Sequence, residues 1–112
     1  MGYYTCFSLE VMIADNSAQH PESTSIIAKL RETNEFANCA LNEDGTTEMD
    51  AKWYGYTDEL REFSKLYPDA LLVLYGDGEN SDDFWCSYFR NGQVQCTTGR
   101  IEYDEFDEKE LI

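Results

Sequence analysis

Five segments of the chain have the apolar pattern of β-strands, and two others have that of helices. The run ALLVLY is apolar throughout a strand length, which is typical of a central strand, and the other four segments are rich in β-branched and aromatic residues. Asn91-Gly92 separates the last two and is the strongest short hairpin signal, because both residues tolerate positive φ. The predicted strands are Tyr3–Ile13, Glu48–Tyr56, Ala70–Tyr75, Asp83–Phe89 and Gln93–Ile101.

Two helices are predicted between these strands. The first is predicted over Glu22–Thr33, with Pro21 at its start, and a weaker helical signal continues through FANCAL. Thr57 is the predicted N-cap of the second, because its hydroxyl can accept a hydrogen bond from a free backbone N–H. Pro68 should close this helix. Leu60, Phe63, Leu66 and Tyr67 are predicted to form one apolar stripe along it.

The order of these elements predicts an α+β fold: a mostly antiparallel sheet of about five strands with two helices packed on one face. At 112 residues the chain is expected to form a single domain over residues 1–112, with an acidic C-terminal segment from about residue 102. In that segment, apolar side chains are predicted to anchor the chain against the body, namely Tyr103, Phe106 and Leu111.

The hairpin turn also fixes a register. In that register Cys86 and Cys96 point to opposite faces of the sheet and cannot form a disulfide. The four cysteines have no C-x-x-C spacing and no signal peptide is recognised, so we expect reduced thiols, no zinc site and a location in the cytoplasm. The predicted pairs are Arg90 with Gln93, Ser87 with Cys96, and Cys86 with Thr97.

Charge is the unusual part of the composition. The chain has 23 acidic and eight basic residues, which gives a net charge of −15. Such a surface repels phosphates, so direct binding to nucleic acid is not expected, and a charged partner should be basic. No apolar run approaches the roughly 18 residues of a membrane span, so no membrane association is expected.

The densest group of acids lies in YGDGENSDDFW, from Tyr75 to Trp85. Its alternating oxygens resemble the start of an EF-hand, but Asp82 stands where that loop needs glycine and Tyr88 stands where it needs glutamate. Two interpretations remain open: a solvated hairpin loop made flexible by Gly76 and Gly78, or an acidic surface that faces a partner.

The sequence supports a catalytic function less than it supports a binding function. Carboxylates are so common here that a pair of them does not indicate acid–base catalysis. A serine or cysteine nucleophile would need a base, and His20, the one histidine, lies beside a proline in a predicted loop. We expect a protein that is not an enzyme and needs no cofactor and no metal.

Six aromatic residues are expected to pack in the core or on the sheet rather than to form a recognition surface, although a small two-layer domain has only one core. The strand FWCSYF is aromatic on both faces, so some of its side chains should be exposed beside acidic rims, as in an interaction surface. The six aromatic residues are Trp53, Tyr54, Tyr56, Trp85, Tyr88 and Phe89.

About three quarters of the chain resembles a group of small acidic proteins encoded by phages and related mobile elements. The shared motifs are Lys52-Trp53-Tyr54, Phe63 to Pro68, Gly76 to Glu79, Asp83 to Trp85, Tyr88 to Gly92 and Phe106-Asp107, with weaker similarity at IIAKLRETNEFA and LNEDG. The chain departs from the pattern at Phe84, where the group has a bulkier aliphatic residue, and at Cys86 and Ser87, where it has charged positions.

The resemblance implies no catalytic residue, but small acidic phage proteins as a class include inhibitors of host defence, among them anti-CRISPR proteins and nucleic-acid mimics. Our leading hypothesis is therefore an inhibitor that occupies a basic nucleic-acid-binding groove of a host protein, such as a CRISPR-associated nuclease, in the host cytoplasm. The alternative is an adaptor that binds a protein through an aromatic sheet face. The predicted partner-binding residues are Asp77, Glu79, Asp82, Asp83, Tyr88, Asp104, Glu105, Asp107 and Glu108.

Overall fold

The described residues of a computed structural model, 2–13, 21–100 and 102–112, contain one four-stranded antiparallel sheet. The strands are hydrogen-bonded in chain order, so that each lies beside the strand that follows it. The predicted central strand is confirmed, because the apolar run lies between the first and third strands. The strands are β1 (Thr5–Ile13), β2 (Ala70–Gly78), β3 (Phe84–Arg90) and β4 (Gln93–Thr98).

The helices of the described residues are α1 (Pro21–Thr33), α2 (Glu35–Ala40), α3 (Tyr56–Ser64) and a 3-10 turn at Glu108–Glu110. The first predicted helix is confirmed, but the continuation through FANCAL is a separate helix. Asn34 is the reason, because its side-chain oxygen accepts hydrogen bonds from the amides of Phe36 and Ala37 at 2.9 and 3.1 Å and so caps a new helix.

The predicted bounds of the second helix are wrong at both ends. The helix starts at Tyr56 with Gly55 as N-cap, so Thr57 lies inside its first turn. It ends at Ser64, before Pro68, because the amides of the next three residues bond to carbonyls three positions back, at 3.0 to 3.2 Å. The Ser64 hydroxyl also donates to the Arg61 carbonyl at 2.7 Å, which stabilises this end of the helix.

The strand predicted over Glu48–Tyr56 does not form, and the sheet therefore has four strands and not five. Its one bridge to the sheet joins Ala51 to Thr5, through two backbone hydrogen bonds of 2.9 Å. Pairing stops there because Trp53 enters the core, where it is 1% exposed and its indole N–H donates to Glu59 Oε1 at 2.9 Å. The coarser prediction of an α+β fold with an antiparallel sheet is confirmed.

The core lies on one face of the sheet. The register places alternate strand residues on this face, where they meet the apolar sides of the helices in a single buried cluster. Val73, on the opposite face, is also buried but lies outside that cluster. The main strand and helix members are Phe7, Leu9, Val11, Leu72, Leu74, Phe89, Ile26, Ile27, Leu30, Leu60 and Phe63.

The hairpin prediction is confirmed in register and in backbone conformation. Asn91 and Gly92 have φ values of 48° and 82°, and the three predicted pairs across β3 and β4 are present. Cys86 and Cys96 therefore lie on opposite faces of the sheet, and the four cysteines are free thiols.

The C-terminal segment from 102 to 112, which we call the tail, is exposed at every residue. The predicted anchors are wrong: Tyr103, Phe106 and Leu111 are 87%, 79% and 65% exposed. His20 lies outside the described residues, as do the predicted loop residues 14–20 and the end of the last predicted strand at Ile101.

Gly45 closes a turn in which its amide donates to the Asn42 carbonyl at 3.0 Å, and it offers a test of how the fold is held at β1. Its φ is +88°, and a Cβ there would lie 2.1 Å from the Leu9 carbonyl oxygen. We expect Gly45→Ala to lower the free energy of unfolding by roughly 2–3 kcal/mol in urea titrations, through backbone strain and this clash. Gly2→Ala is the control, because its Cβ would meet only the flexible Lys52 side chain; an equal loss in both variants would contradict the argument.

Candidate functional site

Antiparallel pairing brings the most acidic loop and both terminal segments to one end of the sheet. Gly78, at the end of β2, pairs with Thr5, and Thr98, at the end of β4, pairs with Trp85. Asp50 joins this end because the next residue bridges to Thr5. We call this group of five carboxylates the acidic end; it consists of Asp50, Asp77, Glu79, Asp82 and Asp83.

The loop that carries these acids is fixed by hydrogen bonds. The Tyr3 hydroxyl donates to Asp83 Oδ2 at 2.6 Å and accepts from the Asn80 amide at 3.0 Å, while the Tyr4 amide donates to Glu79 Oε2. The Gly78 amide donates to the Asp83 carbonyl at 2.7 Å. The loop is therefore tethered to the N-terminal segment by contacts that span more than seventy residues of sequence.

The two glycines predicted to make the loop flexible have a different role. Gly76 and Gly78 both lie within β2. A Cβ at Gly76 would lie 2.1 Å from the ring of Trp85, and one at Gly78 would lie 2.2 Å from Asp83 Oδ2. Glycine is needed here for close packing, and Trp85 in turn stacks on Tyr56 with ring centroids 4.8 Å apart.

The carboxylates of the acidic end change the pKa of the Cys6 thiol. Its thiol donates a hydrogen bond to Asp50 Oδ1, with Sγ and Oδ1 2.8 Å apart. This bond, followed by burial and by the negative charges of Asp50 and Asp77, raises the pKa of Cys6 to about 11. Asp77 pairs with Cys6 across β1 and β2, so Asp50 and Asp77 both lie close to this thiol.

Tyr3 responds to the same carboxylates. The amide of Asn80 lowers the pKa of its hydroxyl. The hydrogen bond to Asp83, burial, and the charges of Asp83 and Glu79 outweigh that effect, so that the pKa of Tyr3 lies above its usual value. Tyr3 and Cys6 thus remain protonated at neutral pH, and each donates a hydrogen bond to a carboxylate.

Basic residues do not neutralise the acidic end within the described residues. The one ion pair there joins Lys65 Nζ to Glu62 Oε1 at 3.1 Å on α3, far from the loop. Lys52 lies near the acidic end, but its ammonium group is placed over the Tyr4 ring, 5.0 Å from the centroid. The carboxylates that Tyr3 and Tyr4 orient therefore have no ion-pair partner among the described residues.

A basic group lies at the opposite end of the sheet, beside the turn between β3 and β4. The Arg61 Nε donates to the Gly92 carbonyl at 2.9 Å, and the Lys65 stem lies against Gly92. Arg90 is the exposed last residue of β3. We call Arg61, Lys65 and Arg90 the hairpin end. The negative charge of the molecule is not confined to the acidic end, since exposed acids also lie on the helical side, at Glu32, Glu43, Asp44 and Glu48.

The four predicted acids of the tail, Asp104, Glu105, Asp107 and Glu108, are exposed. The chain leaves β4 at the acidic end, where the Gly99 amide donates to the Phe84 carbonyl at 2.8 Å. Within the tail, Asp107 Oδ1 accepts from the Lys109 amide at 3.0 Å and caps the 3-10 turn. The tail acids thus start from the same end of the sheet as the loop acids.

The structure separates Tyr88 from the acids. Tyr88 lies on the sheet face away from the helices, which we call the open face, opposite Val73 in β2. It is four residues along β3 from Phe84, or about 13 Å at strand spacing. Half-buried or exposed apolar side chains share this face, and Tyr75 is 40% exposed. The open face carries Met12, Leu71, Val73, Tyr75, Phe84, Cys86 and Tyr88.

Most of the other aromatic residues named in the sequence analysis pack in or against the core, as predicted. Trp53 and Phe89 are buried in the core, and Tyr56 and Trp85 pack against it. Tyr54 is the exception at 65% exposed, although its hydroxyl accepts from the Tyr3 amide at 2.7 Å.

Sequence reasoning missed Tyr3, Cys6 and Asp50 as parts of the site. Each contacts the acidic loop or its neighbours through pairs distant in the chain, so no local spacing indicates them. The alternation in β1, with Cys6 on the face opposite Phe7, is the one signal that could have placed Cys6 beside β2 acids.

The described residues contain no group of three or more His, Cys, Asp or Glu side chains arranged to hold a metal ion. No helix among them has the length and apolarity required to cross a membrane.

No protein-family model matches the chain, and no similar protein is found among curated proteins or solved structures. The resemblance to small acidic phage proteins therefore rests on the motifs in the sequence.

The Cys6 thiol allows a test of the electrostatics at the acidic end. A pKa of about 11, against 9.0 for an ordinary thiol, means a roughly hundredfold smaller thiolate fraction at pH 8, so iodoacetamide should modify Cys6 slowly. We expect Asp50→Asn to lower that pKa and to accelerate alkylation at Cys6, followed by mass spectrometry. Asp44→Asn is the control, since the Asp44 carboxylate accepts from Thr46 and makes no hydrogen bond to Cys6, and equal rates in both variants would contradict this geometry.

Proposed function

We propose that the protein is a non-enzymatic inhibitor of the phage or mobile-element type, whose acidic end occupies a basic nucleic-acid-binding groove of a host defence protein. The observation that carries the proposal is the set of carboxylates at one end of the sheet, oriented by Tyr3, Tyr4 and Cys6 and free of ion pairs within the described residues. The exposed acids of the tail are proposed to contribute to the same contact with the partner.

Acids grouped on a tethered loop support this proposal over an unspecific acidic surface. Duplex DNA presents one charge per about 1.7 Å of axis, and its proteins bind it with Lys and Arg. Asp77 and Glu79 are two residues apart along an extended segment, which sets their backbones about 7 Å apart. The loop is already held by hydrogen bonds, so few of its rotatable bonds remain to be fixed when a partner binds. This reduces the conformational entropy lost on association.

The target that we propose is a CRISPR-associated nuclease. Such enzymes hold a nucleic-acid duplex in a positively charged channel and recognise it by backbone geometry and charge, not by sequence. An acidic protein can enter a channel of that kind without reproducing any base. The resemblance to phage proteins supports a host target that acts in the cytoplasm.

The acidic end can be tested by charge reversal. Asp77 and Asp82 are exposed, so Asp77→Lys with Asp82→Lys should leave the fold intact while exchanging attraction for repulsion. We expect affinity for the host partner, captured from lysate and measured by interferometry, to fall at least about tenfold.

The matched control is Glu32→Lys with Glu43→Lys, which changes the net charge equally on the helical side. Wild-type binding should weaken steeply between about 50 and 200 mM salt, and duplex nucleic acid should compete with the partner. Equal losses in both double variants would show that only total charge matters and would reject the acidic end as the binding site.

The open face favours a second candidate function, an adaptor that binds a protein through aromatic contacts. Tyr75 is 40% exposed and Tyr88 half-buried on a sheet face that no described helix covers. Such a face can bury apolar area against a partner with little dependence on charge.

Tyr88→Ala separates the two functions. An adaptor should lose affinity by about tenfold or more and show little dependence on salt, because a buried aromatic anchor contributes roughly 1.5–3 kcal/mol. For an inhibitor that uses the acidic end, we expect less than a threefold change. Thr97→Ala, at a polar position of the same face, is the control for both measurements.

A further inference from the structure

The outer edge of β4 is unpaired within the described residues. β4 has β3 as its one neighbour in the sheet. The Gly99 amide donates to the Phe84 carbonyl, which shows that odd-numbered residues here face β3. By alternation, the backbone N–H and C=O groups of Val94, Cys96 and Thr98 point outward, where no described residue bonds to them.

The opposite edge of the sheet is covered, which makes β4 different. Outward-facing groups of β1 bond to the segment from 45 to 51: the Leu9 amide donates to the Gly45 carbonyl at 2.8 Å, and Thr5 exchanges two bonds with Ala51. The Thr47 hydroxyl donates to the Phe7 carbonyl at 2.6 Å.

The usual protections of an edge strand are also missing from β4. Its sequence QVQCTT has no charged residue and no proline, although 28% of the chain is charged. Its register with β3 is continuous, without a bulge. Natural proteins protect exposed edges with charges, prolines or bulges, because free backbone groups pair with other strands.

We propose that two copies of this chain pair antiparallel through β4, with a two-fold axis at Cys96, to form one continuous sheet. The outward-facing groups determine the register, because Cys96 then lies opposite Cys96 and Val94 opposite Thr98 of the second copy. In this arrangement the outward-facing N–H and C=O groups of all three residues form hydrogen bonds with the second copy. A shift by one residue would place inward-facing groups at the interface.

Charge complementarity favours a second copy as the partner. Antiparallel pairing places the end of each β4, where the acidic tail begins, beside the start of the other β4 and hence beside its hairpin end. The tail acids of one copy would then meet Arg61, Lys65 and Arg90 of the other. The net charge of −15 opposes association at long range, but the strands that touch carry no charge.

The same arrangement gives the exposed apolar side chains of the tail a binding site. An open groove of about 680 Å³ lies at the hairpin end, lined by Leu71, Tyr88, Arg90, Gln93, Val94 and Gln95. The five residues that follow Thr98, ending at Tyr103, can span up to about 17 Å, which is enough to reach the groove of the second copy. Tyr103 and Phe106, exposed in a single copy, would be buried there.

Solution mass tests the pairing without any host protein, so its outcome is independent of the proposed function. We expect sedimentation of the reduced full chain, from about 1 µM to about 1 mM, to show a dimer of twice 12.9 kDa at the upper concentrations. Cys96→Lys should give a monomer, because two ammonium groups would meet at the axis. Cys39→Lys, at an exposed cysteine of α2, should remain a dimer.

A monomeric wild type over that range would overturn the proposal, as would a Cys96→Lys variant that is folded by circular dichroism and still dimeric. Should Cys96→Lys not fold, Thr98→Lys serves in its place, because its side chain is exposed and its backbone faces the same edge.

Oxidative crosslinking tests the register. Opposed residues of an antiparallel pair have Cα atoms about 5.5 Å apart, which suits a disulfide. Mild oxidation should link two copies of Cys39→Ser through Cys96 and should fail with Cys96→Ser. Crosslinking through Cys39 alone, or none in a protein shown to be dimeric, would reject this register.

A separate variant tests the contact between the tail and the groove of the second copy. Tyr103→Ser with Phe106→Ser should weaken dimerisation about tenfold by leaving the groove empty. Met49→Ser, which removes an exposed apolar side chain far from β4, should leave it unchanged. Equal dimerisation of all three proteins would reject the tail contact.

Discussion

The antiparallel ladder from β1 to β4 is the constraint on which the rest of the structure depends. Because each strand runs back beside the previous one, segments far apart in the chain meet at the same end of the sheet. Tyr3, the loop after β2 and the start of the tail are brought together in this way. The opposite end receives the turn at Asn91-Gly92 and the basic residues that contact it. The distance between the loop acids and the basic residues of the hairpin end thus follows from strand direction.

Tight packing within the ladder then fixes where the carboxylates lie. Gly76 lets the Trp85 ring lie against the β2 backbone, and Gly78 leaves room for the Asp83 carboxylate. Asp83 accepts from Tyr3, and Glu79 accepts from the Tyr4 amide. Hydrogen bonds to charged acceptors are stronger than neutral ones, so these contacts help to offset the mutual repulsion of the acids. The same donors would preorganise the acids for a cationic partner.

Much of the fold could be predicted from local sequence. The apolar run at 70–75, the hairpin at Asn91-Gly92 and the helix of residues 21–33 have strong short-range signals, and each is confirmed. The register of Cys86 and Cys96 followed from turn length alone. Such features depend on neighbours in the chain, which a single sequence shows directly.

The failed predictions depend on contacts between distant residues. Glu48–Tyr56 has strand composition, but the Trp53 indole bonds to Glu59 and takes the segment into the core. Asn34 looks like a residue within a helix and instead caps a new one, with its Nδ2 donating to Glu59 Oε1 at 2.6 Å. Glu59 therefore organises two regions, which no local pattern in the sequence indicates.

The tail was expected to pack on its own domain because it contains Tyr103, Phe106 and Leu111, and the structure shows why that expectation failed. The helical face of the sheet is already filled by the core, and the tail leaves β4 at the end where the other acids lie. An acidic segment that folded back there would meet like charges from Asp82 and Asp83. The basic residues that could attract it are at the far end, about six residues of strand away, roughly 20 Å. Within one copy the acids near the start of the tail repel it, and a basic surface outside that copy would reverse this balance.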